Sequence, residues 1–168
     1  MKSLLSLWLL LAGLSPVIHA AENAGPVLAI HGGAGTMPTD SLTPEIRQKF
    51  ESALREALGA GYKILIEGGS AVEAVTSAIV IMEDNPLFNA GRGAVFTHEG
   101  RNEMDASVMD GSTLEAGAVG GVRLVRNPIL LARRVMEKSD HVFLAGNGAI
   151  EFAIGQGVQM MPADYFYT

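Results

Sequence analysis

Residues 103–125 read EMDASVMDGSTLEAGAVGGVRLV, two apolar runs of different character joined at Asp110-Gly111. In the first, Met104, Ala106 and Val108 alternate with Glu103, Asp105 and Ser107, the two-residue period of a strand with one buried face. In the second, Ala116 to Val125 is apolar and rich in glycine. A strand that omits side chains leaves room for another backbone or layer to come close. Asp-Gly between them is turn chemistry. The stretch therefore predicts two successive strands, and the fold is decided by what covers them.

Helical signals lie on both sides. Asn127-Pro128 opens a predicted helix that carries Leu131, Ala132, Val135 and Met136 inward. His141 to Ala145 then reads as a short strand and Asn147 to Ile154 as a short helix. Upstream, Ser70-Ala71-Val72-Glu73 matches a capping box, in which serine and glutamate satisfy each other's free backbone N–H groups. The helix it starts places Val72, Val75, Ala78, Ile79 and Met82 on one face and closes at Asp84-Asn85-Pro86. Earlier still, Thr43-Pro44-Glu45 combines a capping hydroxyl, a proline at the first helical position and an acid in the first turn. Ile46, Phe50, Leu54, Ala57 and Leu58 recur behind it at helical spacing, and Gly68-Gly69 ends the run. Val27 to His31 is a short apolar segment that stops at glycines and is expected to be a buried strand. Strands bracketed by paired helices give an α+β class rather than strict βαβ alternation. Further strands of the same sheet are expected from another chain.

With 168 residues, net charge -6, 48% hydrophobic and 18% charged residues, the chain has the composition of one globular domain. Its acidic balance excludes a phosphate-tracking surface, because nucleic-acid affinity comes mostly from clustered Lys and Arg. Small molecules and proteins remain as partners. Residues 1–20 have a basic start at Lys2, an apolar stretch from Leu4 to Leu14 and small residues at Ala20 and Ala21. That is the pattern of a secretory signal peptide. The stretch is short for a bilayer span and is broken by Gly13, Ser15 and Pro16. An exported, periplasmic or secreted protein is expected, with residues 21–168 as the mature domain and no membrane attachment after cleavage. The sequence contains no cysteine, so packing rather than disulfides must hold it.

Several familiar chemistries do not fit. His31-Gly32-Gly33-Ala34-Gly35 suggests a hydrolase oxyanion loop, yet no serine sits in a G-x-S-x-G elbow. Gly91-Arg92-Gly93 lacks the third glycine of a dinucleotide fingerprint. His19, His31, His98 and His141 show no metal-ligand spacing. Asp105 and Asp110 could be a catalytic pair, but one lies on a polar strand face and the other at a turn, so structural acids are the expectation.

Five segments in order and spacing, AIHGGAGT, PLFNAGRGAVF, NEMDASVMDG, EAGAVGGV and NPILLARRVME, make the chain resemble the α-subunit of the isoaspartyl peptidase, or plant-type asparaginase, family of N-terminal nucleophile hydrolases. The likeness covers nearly all of the chain after residue 20. It implies a four-layer αββα sandwich, of which residues 21–168 supply the N-terminal part of a single domain. It also implies a precursor that cuts itself before a threonine in a Gly-Thr-Val-Gly context. The freed threonine would attack with its own α-amine, whose ordinary pKa is near neutral, as the base. The expected substrates are small isoaspartyl peptides or asparagine. The expected partner is the chain's own β-subunit carrying that threonine, with an (αβ)2 heterotetramer as the assembly.

Gly-Thr-Val-Gly does not occur in the 168 residues, and the nucleophile belongs to that β-subunit. Gly35-Thr36 is a decoy, since cutting there would detach the first expected strand. Thr168 has its α-amine in a peptide bond. The resemblance further implies no catalytic cofactor but a structural sodium ion, held by the main-chain carbonyls of Met82, Glu83, Asn85, Phe88, Ala90 and Arg92. Backbone carbonyls suit a hard cation whatever the side chains, and Gly91 and Gly93 let the backbone curl. Asn89 would then position the nucleophile, and His31, Gly32, Gly33 and Gly35 would line the active site. An ordinary helix-to-strand connection and a tight turn are the plainer readings of the same residues. Arg92 stands where the family often has a small or apolar residue, and no role is assigned to it. Two alternatives keep their place: a related hydrolase acting on glycosylated asparagine, and a truncated, non-catalytic chain that binds another protein.

Overall fold

The computed structural model describes residues 25–33 and 42–168. The expected signal peptide, residues 1–20, lies outside them, as does Gly35. Among the described residues four helices and three strands run in the order α1 (Pro44–Ile66), α2 (Ala71–Glu83), β1 (Met104–Met109), β2 (Ala116–Val122), α3 (Pro128–Lys138), β3 (Phe143–Ala145) and α4 (Gly146–Gly155). Short 3-10 turns occupy Gly91–Gly93 and Ala163–Phe166.

The helix ends are written locally. Thr43 Oγ1 accepts the Ile46 N–H at 3.3 Å to start α1. At its other end Gly68, at φ +85°, and Gly69 donate back to the carbonyls of Leu65 and Ile64, the left-handed stop that glycine permits without a Cβ clash. The capping box of α2 is complete: Ser70 Oγ accepts the Glu73 N–H at 3.1 Å, and Glu73 Oε2 accepts the Ser70 N–H at 2.9 Å. Such a cap stabilises by about 1 kcal/mol.

The sheet has the order β1-β2-β3, with β1 antiparallel and β3 parallel to β2. Val108 faces Gly117 and Met104 faces Val122, and all four are buried. The register shifts between Met104 and Ala106, where Asp105 Oδ1 accepts the Gly121 N–H at 2.8 Å. Gly121 has φ +61°, so this is a glycine bulge tied down by an acid. Asp110 Oδ1 likewise accepts the Ser112 N–H at 2.8 Å. Both aspartates hydrogen-bond the backbone, as structural acids do.

Helix α3 lies on β2. A Cβ at Gly117 would run into the Ala132 carbonyl and the Met136 N–H, which explains the glycine-rich strand. Ile129, Leu131 and Val135 are fully buried there with Val119, Val122 and Val125. Each such aliphatic side chain contributes about 1.5–3 kcal/mol relative to exposure. Ala149 and Ala153 of α4 and Val72 of α2 join the same core. A second cluster, Ala53, Ala57, Ala78, Met82 and Phe88, joins α1 to α2 and to the loop after it.

Val27 to His31 is not a strand. Leu28 and Ile30 are half-buried while Val27 and Ala29 are exposed, so the two-residue alternation is present. Leu28 rests on α1 at Gly61. Among the described residues, however, no strand pairs with it, and a strand exists only by its ladder. The opposite sheet face, including Asp105, Ser107, Phe143 and Ala145, is exposed. Among the described residues no helix is long and apolar enough to cross a membrane.

Candidate functional site

The chain leaves α2 at Glu83 and reaches β1 through a tightly wound loop. Asn85 Oδ1 accepts the Leu87 N–H at 3.0 Å, an Asx turn that starts the bend. Successive N–H groups then bond carbonyls two or three residues back: Phe88 to Asn85, Ala90 to Phe88, Gly93 to Ala90 and Ala94 to Gly91. Phe88 is 4% exposed and meets Phe50 of α1 edge-on, with centroids 5.9 Å apart. It anchors the loop to the α1–α2 cluster.

Two glycines are required here. Gly91 has φ +52°, and a Cβ on it would run into the Glu83 carbonyl. A Cβ on Gly93 would run into the Phe88 carbonyl and come within 2.8 Å of the Pro86 carbonyl. The glycines thus let main-chain oxygens approach closely, and oxygen is the donor a hard monovalent or divalent cation takes. Among the described residues no three His, Cys, Asp or Glu side chains converge as a metal site. The loop offers carbonyl oxygens as donors: two of those against its glycines, Glu83 and Phe88, belong to the six expected ligands, and the carbonyls of Met82, Asn85, Phe88 and Ala90 also accept N–H groups of the loop.

Asn89 is exposed, and its Oδ1 accepts the Val95 N–H at 3.0 Å. That bond closes the loop and fixes the plane of the carboxamide. With the oxygen engaged, the two N–H groups of Nδ2 are what Asn89 offers to another molecule. Asn102 holds the far limb from behind: it is buried, and its Nδ2 donates to the Ala94 carbonyl.

The His31-Gly32-Gly33 segment lies beside this loop. A Cβ on Gly32 would sit 3.3 Å from Leu54 and 3.6 Å from the ring of Phe88. Gly33 has φ +117° and donates its N–H to His31 Nδ1 at 3.2 Å. The glycine turn and the Asn89 loop, separate in sequence, therefore share Phe88 as a floor.

Two acids at the base of the loop were not singled out by side chain in the sequence. Glu83 is 3% exposed, and its Oε1 accepts the Ile129 N–H at 3.0 Å in the first turn of α3. Asn127, the N-cap residue of α3, makes no side-chain cap, so a carboxyl from another helix does that work. Burial pushes the Glu83 carboxyl up to about 8, opposed by its bonds to Ile129 and Asn127. Its Oε2 is buried with no partner among the described residues. The inward position was legible, since Glu83 falls four residues after Ile79 on the buried face of α2. The second acid, Asp84, accepts from Arg126 Nε at 3.1 Å and Nη2 at 3.0 Å, from Asn127 Nδ2 at 3.2 Å and from the Tyr165 hydroxyl at 3.3 Å. No local pattern announces contacts across 42 and 81 residues.

The model of the asparaginase family matches residues 24–168. The isoaspartyl peptidase of Salmonella typhimurium is 49% identical over 142 residues, covering 84% of this chain and 45% of that protein. The isoaspartyl peptidase/L-asparaginase of Danio rerio is 48% identical over 143 residues, 85% of this chain and 44% of its own length. The plant-type L-asparaginase of Pyrococcus abyssi is 52% identical over 126 residues, 75% and 40% respectively. The chain spans less than half the length of the curated relatives it matches.

Proposed function

Because this chain belongs to the asparaginase family, its whole length from residue 24 being matched, we propose that it is the α-portion of an exported hydrolase that cleaves isoaspartyl peptide bonds and the side-chain amide of asparagine. The nucleophile is an N-terminal threonine on a β-subunit, and the two portions build the four-layer αββα sandwich, paired further as (αβ)2. The names of the relatives support the substrate class. The observation that carries the site is Asn89, an exposed residue whose Oδ1 accepts the Val95 N–H and whose chain neighbour Phe88 packs against Gly32 of the His-Gly-Gly turn.

The chemistry follows from that geometry. The threonine hydroxyl attacks the substrate's side-chain carbonyl while the threonine's own amine takes its proton. The same amine returns a proton to the leaving nitrogen, which departs as ammonia or as the amine of a peptide. Water then attacks the acyl-threonine ester and releases aspartate or an aspartyl product. Asn89 Nδ2 donates to the nucleophile's oxygen and holds it in line, a positioning effect that needs a rigid support. Glycines at 32 and 33 let the substrate approach the backbone. The carbonyls of Met82, Glu83, Asn85, Phe88, Ala90 and Arg92 would hold a sodium ion, which supplies charge to stiffen the loop and takes no part in the reaction.

Intact-mass and N-terminal sequencing of the protein purified from its own compartment tests the first step. A second polypeptide led by threonine is expected, and its absence would leave the non-catalytic reading. In the active protein, Asn89→Ala should lower turnover by about 100-fold with little change in melting temperature. A lower melting temperature with turnover intact would return Asn89 to a structural role.

A further inference from the structure

Tyr165 touches both limbs of the Asn89 loop. Its hydroxyl donates to Asp84 where the chain enters the loop, and its ring lies under the Arg92 guanidinium, 5.5 Å from the centroid, where the chain leaves it. Asn89 lies between these two points. Tyr165 is itself held, because its ring packs edge-on against the buried Phe166 at 5.0 Å. The segment before it is stitched to the opening of α3. Met161 N–H donates to the Leu124 carbonyl at 2.7 Å, and Arg126 bonds Gln159 through both its main chain and its Nη1, each at 3.0 Å.

We propose that Asp84 and Tyr165 form a clasp that sets the width of the loop, and so act as positioning residues for Asn89. The inference rests on the reading of Asn89 given above. Its chemistry is unusual for a stability device. The Arg126–Asp84 side chains are 35% and 32% exposed, and ion pairs that reach water add little to folding. The clasp also joins groups 81 residues apart, so it costs chain ordering that a local turn would avoid. What it accomplishes is alignment: Asp84 gathers four donors from three residues, and each fixes a direction. The side chain of Arg92, to which the family resemblance assigns no role, is the far jaw.

The test uses the complete native protein with Tyr165→Phe, Asp84→Ala and Asp84→Glu. Tyr165→Phe keeps the ring beneath Arg92 and removes one hydroxyl, so the fold should survive. Deuterium uptake should rise in peptides covering residues 86–96 and stay unchanged in α1. Turnover should fall about tenfold with KM nearly constant, since misplacement of a catalytic group acts on the rate. Asp84→Glu, which retains the acceptor, should recover most of the loss, whereas Asp84→Ala should not. Unchanged uptake at 86–96 in both Tyr165→Phe and Asp84→Ala would overturn the clasp. So would raised uptake with undiminished turnover, which shows a looser loop that the reaction does not feel. If the unmodified protein hydrolyses no amide, the proposed function falls, and the uptake measurement still decides whether the clasp exists.

Discussion

Glu83→Gln separates two opposing influences on one buried carboxyl. Burial pushes Glu83 up to about 8 from the ordinary 4.5, while the Ile129 N–H at 3.0 Å and the positive end of α3 favour the anion. Since the folded-state value lies above the unfolded one, the native state binds the proton more tightly. The stability contributed by the group is therefore fully present below about pH 4.5 and is lost as pH rises through about 8. The span from 4.5 to about 8, at about 1.4 kcal/mol per pH unit, amounts to about 5 kcal/mol between the two limits. Glutamine keeps an oxygen for the Ile129 N–H and cannot ionise, so its contribution should not change with pH. Urea unfolding from pH 5 to 9 measures this directly, in sodium-free buffer so that a cation near the Glu83 carbonyl does not intervene. The difference between wild type and variant cancels every other titrating group. Wild type should lose stability relative to Glu83→Gln as the pH rises, most steeply between about pH 5.5 and 7 and levelling off above about 8. Parallel curves would refute the reasoning, because they would mean that the helix end keeps Glu83 ionised throughout.

Two glycines give simpler tests. Gly117→Ala drives a Cβ into the Ala132 carbonyl and to 2.7 Å from Met136 Cβ, so α3 must lift from β2 at a cost of about 1–3 kcal/mol; an unchanged melting temperature would show that the contact yields freely. Gly93→Ala drives a Cβ against the Phe88 and Pro86 carbonyls, displaces them, and should abolish any rise in melting temperature produced by sodium over a bulky organic cation. A sodium response kept in full would place the ion elsewhere.

Where information is local, the sequence was readable. Ser70 and Glu73, Thr43 and Pro44, and Asn127-Pro128 each mark the helix start they were expected to mark. The alternation of Met104, Ala106 and Val108 lies on the face opposed by Val122, Val119 and Gly117. The stretch from Pro86 to Phe96 reads as a connection with an Asn-capped turn, and Asn85 makes that turn; the glycine curl expected from the resemblance is seen in Gly91, at φ +52°, and in the close approach of the Phe88 carbonyl to Gly93. Its bearing on catalysis came from resemblance alone, because a carbonyl donor set leaves no side-chain signature. The Glu83 cap and the Asp84 clasp were invisible for a different reason. Both join elements that chain topology, rather than spacing, brings together, and an acid at the end of a helix is as often a solvated charge.

Val27 to His31 shows where a local pattern and its realisation part. Its alternation survives in the structure: Leu28 and Ile30 turn to α1, and Val27 stays 87% exposed. Periodicity of two specifies which side chains share a face, whereas a ladder also needs a neighbour to accept its N–H groups. The exposed side of the three-stranded sheet poses the same requirement from the other direction. Ser107, Ala118 and Gly120 are small, and Met109 and Phe143 are each 57% exposed, a surface suited to a second sheet packing at about 10 Å. On the reading proposed above, one partner layer answers both demands, covering the sheet and supplying the strand that residues 27–31 are patterned to meet.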